Sequence, residues 1–206
     1  CDRVQEVLLC EVGLRCAPTE TPGEGVCEPF EWNVVDEMEP NQLPVQAAAL
    51  ALEPGDAVNA ALDLEDLYDV FVVRLTEPGF VIVETDTGTP GVCPSGTDTV
   101  MARIAPGVLS QQGYEAALDE ANRLDFNDDG GPGLCSRIET ELPAGTYYFL
   151  VHEYQFDRAV PAYTLRVRAV PVRAVGEPCD ADSQFSVCGD GLTCSDPNGD
   201  LDGVCQ

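Results

Sequence analysis

The sequence predicts an all-β protein in which an antiparallel β-sandwich of about 150 residues lies between two small disulfide-rich modules. The cysteine spacing C-x8-C-x5-C-x10-C occurs near both ends of the 206-residue chain. Between the two copies, short segments alternate apolar and polar residues, and proline and glycine separate them at turn positions. We therefore expect a cysteine-rich module at residues 1–29, a sandwich domain at 30–176 and a second module at 177–206.

The two copies of the cysteine spacing indicate a duplicated module. Its cysteines are Cys1, Cys10, Cys16 and Cys27 in the first copy and Cys179, Cys188, Cys194 and Cys205 in the second. The copies lie 178 residues apart. They also share an aspartate, two glycines, a leucine and a valine in register, at Asp2/Asp180, Gly13/Gly191, Gly25/Gly203, Leu14/Leu192 and Val26/Val204. We expect this period to recur in a longer polypeptide.

The ten cysteines predict five disulfides, because their number is even and the flanking segments are too short to build a core. The protein should then be secreted into an oxidising compartment. Zinc is the alternative, but the cysteines lack a C-x2-C spacing and the only histidine, His152, lies far from both copies. Cys1 could instead carry a lipid, although as the counterpart of Cys179 it needs a disulfide partner. Four cysteines allow three pairings, and the spacing does not choose among them.

The chain is strongly acidic, with 37 aspartates and glutamates against 10 arginines and no lysine. A field of this sign repels phosphate, which argues against nucleic acid and anionic membranes as partners. The carboxylates can keep an extracellular protein soluble or hold divalent cations. The sequence has no run of about 18 apolar residues, so we expect no insertion into a membrane.

The elements of the sandwich follow from the pattern of apolar residues. Residues 30–44 form an acidic, proline-bearing connector rather than a helix. Residues 108–124 have helical spacing and predict a helical turn or a loop. The candidate strands are 45–52, 57–63, 69–75, 79–85, 99–105, 137–142, 146–153 and 162–169.

Residues 34–170 contain six motifs, followed by a closing segment. The motifs, in chain order, are Glu37-Met38-Glu39-Pro40-Asn41, Leu52-Glu53-Pro54-Gly55-Asp56, Asp66-Leu67-Tyr68-Asp69-Val70-Phe71, Gly96-Thr97-Asp98-Thr99-Val100, Asp125-Phe126-Asn127-Asp128-Asp129-Gly130-Gly131 and Leu142-Pro143-Ala144-Gly145-Thr146-Tyr147-Tyr148. The closing segment is Ala162-Tyr163-Thr164-Leu165. In these motifs the segment resembles the bacterial pre-peptidase C-terminal domain, a jelly-roll-like sandwich related to the collagen-binding domains of secreted collagenases. The flanking modules resemble small knotted modules with a Gly-Leu-x-Cys segment, which implies pairing of the first cysteine with the third and the second with the fourth.

The resemblance implies a calcium site. Glu37, Glu39 and Asn41 match the acidic connector of the calcium-binding members, and Asp66 and Asp69 match their aspartate pair. Ca²⁺ takes six to eight oxygens, and alternate residues of an extended segment direct oxygens to one side. Gln42 departs from the pattern, because the best binders carry a further carboxylate there. The alternative is a solvated linker.

A weaker second cation site is predicted at Asp125, Asn127 and Asp129, whose oxygens alternate ahead of a glycine. This is not an EF-hand, because Ser136 stands where the closing glutamate belongs, and the alternative is an acidic hairpin loop. A disulfide between Cys93 and Cys135 would hold this loop against the sheet. The alternating acidic residues between 196 and 202 have no counterpart in the first module and are interpreted as a solvated turn.

The residues for catalysis are scarce: the chain has one histidine and no lysine, and we expect His152 to be a surface residue rather than a base. We therefore expect a non-catalytic structural or adhesive repeat of a bacterial surface protein or fibre, whose partners are neighbouring copies of itself or further repeats. The alternative is an accessory domain of a secreted hydrolase that binds collagen-like protein or polysaccharide through aromatic residues such as Tyr147, Tyr154 or Tyr163.

Overall fold

The structure, a computed structural model, divides the chain into two compact units. One comprises Trp32–Glu77 and Val81–Ala169, and the other comprises Cys1–Glu31, Pro78–Phe80 and Val170–Gln206. The residues that the structure describes are 14–18, 25–65, 67–93, 95–105, 107–170, 172–173, 175–176, 178–180, 187–189, 191–195 and 202–206. The boundaries expected at residues 29 and 176 stay predictions.

The described residues of the cysteine-rich segments include short paired strands. In the first segment, β1 (Leu14–Pro18) pairs antiparallel with β2 (Gly25–Pro29).

The other unit is a β-sandwich, as the sequence predicts. Its strands in chain order are β3 (Asn33–Asp36), β4 (Ala51–Leu52), β5 (Asp56–Leu62), β6 (Tyr68–Leu75), β7 (Gly79–Asp86), β8 (Thr99–Ile104), β9 (Arg123–Asn127), β10 (Arg137–Leu142), β11 (Gly145–Glu153) and β12 (Val160–Val170). Its helices are α1 (Pro44–Ala47), α2 (Val108–Gln112) and α3 (Tyr114–Leu118), with 3-10 turns at Ala48–Leu50 and Glu120–Asn122.

Two five-stranded sheets face each other. The β11 sheet has the strand order β4-β6-β11-β8-β9, and the β12 sheet has the order β10-β7-β12-β5-β3. β11 runs antiparallel to β6 and β8, β8 to β9, and β12 to β5. The short edge strands depart from the expected antiparallel arrangement, because β3 is parallel to β5 and β4 is parallel to β6.

Apolar side chains cover both faces of the β11 sheet. One set, which includes Phe71, Met101 and Phe149, packs in the core between the sheets. The alternate set, which includes Val72 and Leu150, packs against residues of the three helices. Burial on both faces explains why β6 is almost continuously apolar rather than alternating.

The strand prediction for residues 45–52 is wrong except at its end. Pro44 begins α1, and the side chain of Gln46 accepts a hydrogen bond of 3.0 Å from the backbone N–H of Leu43. Proline suits the first turn of a helix, and the alanines that follow have high helix propensity. The predicted helical turn within 108–124 is confirmed, whereas β3 and β9 were not predicted.

The second cysteine-rich segment contains β13 (Val172–Arg173), β14 (Pro178–Asp180), β15 (Val187–Cys188), β16 (Cys194–Ser195) and β17 (Asp202–Cys205). Cys179 pairs with Cys194, and Cys188 pairs with Cys205. This confirms the first-to-third and second-to-fourth pairing in the second copy. The corresponding pairings of the first copy lie outside the described side chains.

Candidate functional site

Three carboxylates meet where the connector that follows β3 approaches β6. Glu37, Glu39 and Asp69 each place a carboxylate oxygen within 4.8 Å of the others. All three belong to the cation site predicted from the sequence. We call this group, together with Asn41, the connector corner.

Hydrogen bonds of the connector fix the position of Glu37. The backbone N–H of Glu37 donates to the carbonyl of Asn59 at 3.0 Å, which continues the pairing of β3 with β5. Its Oε1 atom accepts a hydrogen bond of 2.8 Å from the backbone N–H of Ala61. The carboxylate therefore lies beside β5.

Asn41 joins the remaining parts of the connector corner. Its side-chain amide donates to Oε2 of Glu37 at 3.1 Å, and its backbone N–H donates to Oε2 of Glu39 at 3.0 Å. Its carbonyl accepts a hydrogen bond of 3.3 Å from the backbone N–H of Val70. The connector is thus tied to β6 next to Asp69. Gln42, the position at which the best calcium binders carry a further carboxylate, donates to Oε2 of Glu39 at 3.0 Å.

Asp69 is fully buried on β6, and the hydroxyl of Tyr163 on β12 donates a hydrogen bond to its Oδ2 atom. The donors that reach the connector corner in these contacts are neutral amides and a hydroxyl. Three carboxylates and an amide group are hard oxygen donors of the kind that Ca²⁺ prefers, so the residues present fit a calcium ion. Asp66, the fifth predicted ligand, lies outside the described residues.

The residues predicted for the second cation site make different contacts in the structure. Asp125 lies on β9 and forms an ion pair with Arg103 of β8. The Oδ1 atom of Asn127 accepts hydrogen bonds from the backbone N–H groups of Gly130 at 2.7 Å and Arg137 at 2.8 Å. The Asp125 side chain therefore ties β9 to β8, and the Asn127 side chain holds the turn between β9 and β10.

The third predicted residue, Asp129, lies with two aspartates that the sequence did not single out as ligands. Carboxylate oxygens of Asp98, Asp128 and Asp129 lie within 4.8 Å of one another, and we call this group the acidic loop. Burial raises the pKa of Asp98 and of Asp128, and the neighbouring carboxylates raise the pKa values further. Asp98 belongs to the motif at residues 96–100, but its approach to residues 128 and 129 depends on the fold.

A disulfide holds the acidic loop, as the sequence predicts. Cys93 is bonded to Cys135, and the carbonyl of Cys135 accepts a hydrogen bond of 2.8 Å from the backbone N–H of Gly131. A Cβ atom on residue 131 would lie 2.6 Å from that carbonyl oxygen, so only glycine fits there. The loop is therefore tied covalently to the segment that precedes β8.

The prediction that His152 is a surface residue is wrong, because its side chain is only 5% exposed. Its ring stacks on Phe156 with 4.3 Å between the ring centroids, and Nδ1 lies 2.8 Å from the carbonyl oxygen of Glu153. Burial lowers the pKa of His152 to about 4. The imidazole is therefore a neutral packing residue at pH 7.

The three aromatic residues that could contact a polymer differ in exposure. Tyr163 is buried and bound to Asp69, which removes it from that set. The hydroxyl of Tyr147 donates to the carbonyl of Pro143 at 2.6 Å. Tyr154 is about half exposed and is the accessible member of the three.

No protein-family model matches the chain. No curated protein matches it either. Among solved structures, the pre-peptidase C-terminal domain of a collagenase from Bacillus anthracis is similar, with 14% sequence identity and a TM-score of 0.40. The similarity covers 57% of this chain and 92% of that chain. That domain belongs to the family that the sequence motifs resemble. Within the described residues, no helix is long and apolar enough to cross a membrane.

Proposed function

We propose that the chain is a non-catalytic structural or adhesive repeat unit of an extracellular bacterial surface protein or fibre, in which disulfides and calcium stabilise the sandwich. The observation that carries this proposal is the identical cysteine spacing on both sides of the sandwich. Stable disulfides are typical of oxidising compartments, and the second copy contains two. A spacer that recurs around a sandwich suits a link in a longer assembly.

Calcium would be held in the connector corner by Glu37, Glu39 and Asp69, with Asn41 and Asp66 as further ligands. Three carboxylates at this distance repel one another, and a divalent cation replaces that repulsion with attraction. Because Glu37 and Glu39 belong to the connector and Asp69 to β6, one ion would fasten the connector to the sandwich. The weaker second site at residues 125, 127 and 129 stays a prediction, with Asp129 in the acidic loop.

Thermal unfolding in a calcium titration tests the connector corner. Calcium that binds the folded chain alone should stabilise it by about 2.7 kcal/mol at a hundred times the dissociation constant. Glu39→Gln should remove most of that increment, because it replaces one of the three carboxylates that would bind the ion. Glu39 is exposed, so its replacement leaves the core intact. Asp66→Ala should do the same if Asp66 is a ligand.

Glu77→Gln is the matched control, since it removes an exposed carboxylate outside the connector corner. It should keep the full calcium increment. A melting temperature that calcium leaves unchanged would refute the site, and so would an equal loss in both variants.

Sequencing the parent gene tests the repeat. We expect further copies of the C-x8-C-x5-C-x10-C spacing at a period of 178 residues, each pair enclosing another sandwich. A gene that encodes no further copy would contradict the tandem arrangement.

The second candidate is a substrate-binding accessory of a secreted hydrolase, and the exposed ring of Tyr154 is the observation that favours it. Planar aromatic side chains are common contacts for polymers because they offer a large apolar surface. A sedimentation assay on insoluble collagen, chitin and cellulose tests this candidate. Retention on one of them that Tyr154→Ala abolishes would place this function first.

A further inference from the structure

β9 forms one edge of the β11 sheet. It pairs with β8 on one side, and no strand of the described residues pairs with it on the other. β10 forms the edge of the β12 sheet at the same end of the sandwich, because the turn at residues 128–136 joins the two strands. An edge strand presents backbone N–H and C=O groups that a further strand can use.

A groove of about 540 Å³ lies between these two edges. It is closed at one end, where Oδ1 of Asn127 accepts the backbone N–H of Arg137 at 2.8 Å. Residues of both edge strands line it. They are Asp125, Phe126 and Asn127 of β9 and Arg137, Ile138 and Glu139 of β10. The free edge of β9 is therefore next to an open space that can receive a chain.

The side chains of β9 form two different sets. Leu124 and Phe126 are 50% and 46% exposed. Phe126 lies opposite Ala102, whose side chain belongs to the helix-covered face of the β11 sheet. Asp125 and Asn127 alternate with them and lie opposite Arg103 and Met101, on the face toward the other sheet. A strand beside β9 would meet an apolar surface on one face and polar groups on the other.

The segment that contains both edge strands has a net negative charge. Residues 123–142 contain five carboxylates and two arginines. Arg137 forms an ion pair with Glu139 and lies 3.7 Å from Glu84, and the guanidinium of Arg123 lies over the ring of Phe126 at 4.2 Å. The two carboxylates that line the groove, Asp125 and Glu139, are likewise paired with Arg103 and Arg137, so the preference for a basic ligand comes from the net negative charge of this segment and of the whole chain.

We propose that the free edge of β9 binds an extended peptide segment of another protein, in which apolar residues alternate with basic residues. The segment adds as a strand to the β11 sheet through main-chain hydrogen bonds. Its apolar side chains contact Leu124 and Phe126, and its basic side chains enter the groove toward Glu139. This site is independent of the connector corner and of a calcium ion bound there, although Asp125 and Asn127 also belong to the weaker second cation site predicted from the sequence.

The test uses a labelled ten-residue peptide in which valine alternates with arginine, and fluorescence anisotropy measures its binding to the full chain. We expect saturable binding of one peptide, with slower hydrogen exchange of β9 amides. Two control peptides separate the contributions. N-methylation of alternate backbone amides removes main-chain hydrogen bonds, and replacement of arginine by glutamate reverses the charge. Each control should bind at least about tenfold more weakly.

Variants of the protein locate the site. Leu124→Lys and Phe126→Lys place a charge on the apolar side of β9 and should weaken binding at least about tenfold. Val45→Lys is the matched control, because Val45 is 79% exposed on α1 and far along the chain from β9. Melting curves of all three variants show whether each is folded. Glu139→Gln should weaken binding of the valine–arginine peptide and leave binding of a valine–serine peptide unchanged.

Several outcomes would overturn the proposal: no binding of the arginine peptide, equal binding of the N-methylated peptide, or equal binding by Phe126→Lys. Sedimentation of the protein alone tests whether a second copy of the chain binds at this edge. Dimers that Leu124→Lys abolishes would assign the edge to self-association and would contradict binding of a basic peptide. None of these results affects the calcium titration or the gene sequence, which test the repeat function separately.

Discussion

The connector corner and the acidic loop each gather three carboxylates within 4.8 Å, but different forces hold them. In the connector corner, backbone and amide groups donate to Glu37 and Glu39, and a tyrosine donates to Asp69. In the acidic loop, a disulfide and a glycine turn bring Asp128 and Asp129 toward Asp98. Hydrogen bonds thus position the carboxyl groups of the first group, whereas covalent and backbone constraints hold the second group together.

The largest effect should come from removing the covalent constraint of the acidic loop. Cys93 and Cys135 are 42 residues apart, and a disulfide across such a separation contributes about 4 kcal/mol in the chain-entropy model. Urea unfolding of the double variant Cys93→Ala/Cys135→Ala should show this loss. Unchanged stability would mean that the loop is held mainly by its hydrogen bonds, and the contrast between the two groups would disappear.

The next effect concerns His152, on the strand that lies beside the Asp98 segment. Its pKa falls from 6.5 to about 4 on folding, so the unfolded chain takes up the proton first as the pH decreases. The free energy of unfolding should therefore have its full value above about pH 6.5 and fall by roughly 3 kcal/mol as the pH approaches 4. His152→Gln cannot take up this proton, and denaturant unfolding across the pH range should show the difference. Parallel pH profiles for the two proteins would contradict the prediction.

The third effect tests the hydrogen bonds of the connector corner. Tyr163→Phe removes the hydroxyl that donates to the buried carboxyl group of Asp69, and removing the partner of a buried acceptor costs about 2 kcal/mol. Unfolding measured without calcium should show this loss. Tyr148→Phe removes a hydroxyl elsewhere in the sandwich and is the control. If both variants lose the same free energy of unfolding, the hydrogen bond to Asp69 contributes no more to stability than the hydroxyl of Tyr148 does.

The smallest effect should be a gain. The pKa values of Asp98 and Asp128 are raised, so both carboxyl groups hold protons more tightly in the folded chain and destabilise it when ionised. Asp128→Asn should therefore increase the free energy of unfolding at pH 7 by up to about 1 kcal/mol, and the gain should vanish at a pH low enough to protonate the wild-type carboxyl. Thermal unfolding in a chelator measures it. A loss of stability would show that the charge of Asp128 is stabilised by a partner.

The sequence predicts most of the sandwich because its central strands are buried in a regular pattern. β9 escapes that reasoning, since Leu124 and Phe126 face outward from an edge strand and the preceding residues have helical spacing. Residues 45–52 show the opposite error, because a strand is predicted where the structure has helical turns. Their nearly continuous apolar residues suggest a strand, but Pro44 and the alanines that follow favour the helix.

The candidate cation sites show the same limit. Residues of a connector that turns back on a strand can direct alternate side chains to one point, and Glu37 and Glu39 do so. Alternate residues of a strand share a face, but the neighbouring strand decides what they contact. Arg103 on β8 forms an ion pair with Asp125, and the spacing of residues 125–129 does not reveal that partner. The burial of His152 likewise depends on Phe156, which lies beyond the end of β11.

The interleaved bridges of the second cysteine-rich module set how far it can be stretched. A force applied between Cys179 and Cys205 passes along the chain to Cys188 and then crosses the sulfur bridge to Cys205. That path, nine residues and one bridge, extends to about 36 Å, whereas the same segment without bridges would extend to about 90 Å. The bridges therefore limit the lengthening of the module under a pull to less than half of what the unbridged segment would allow.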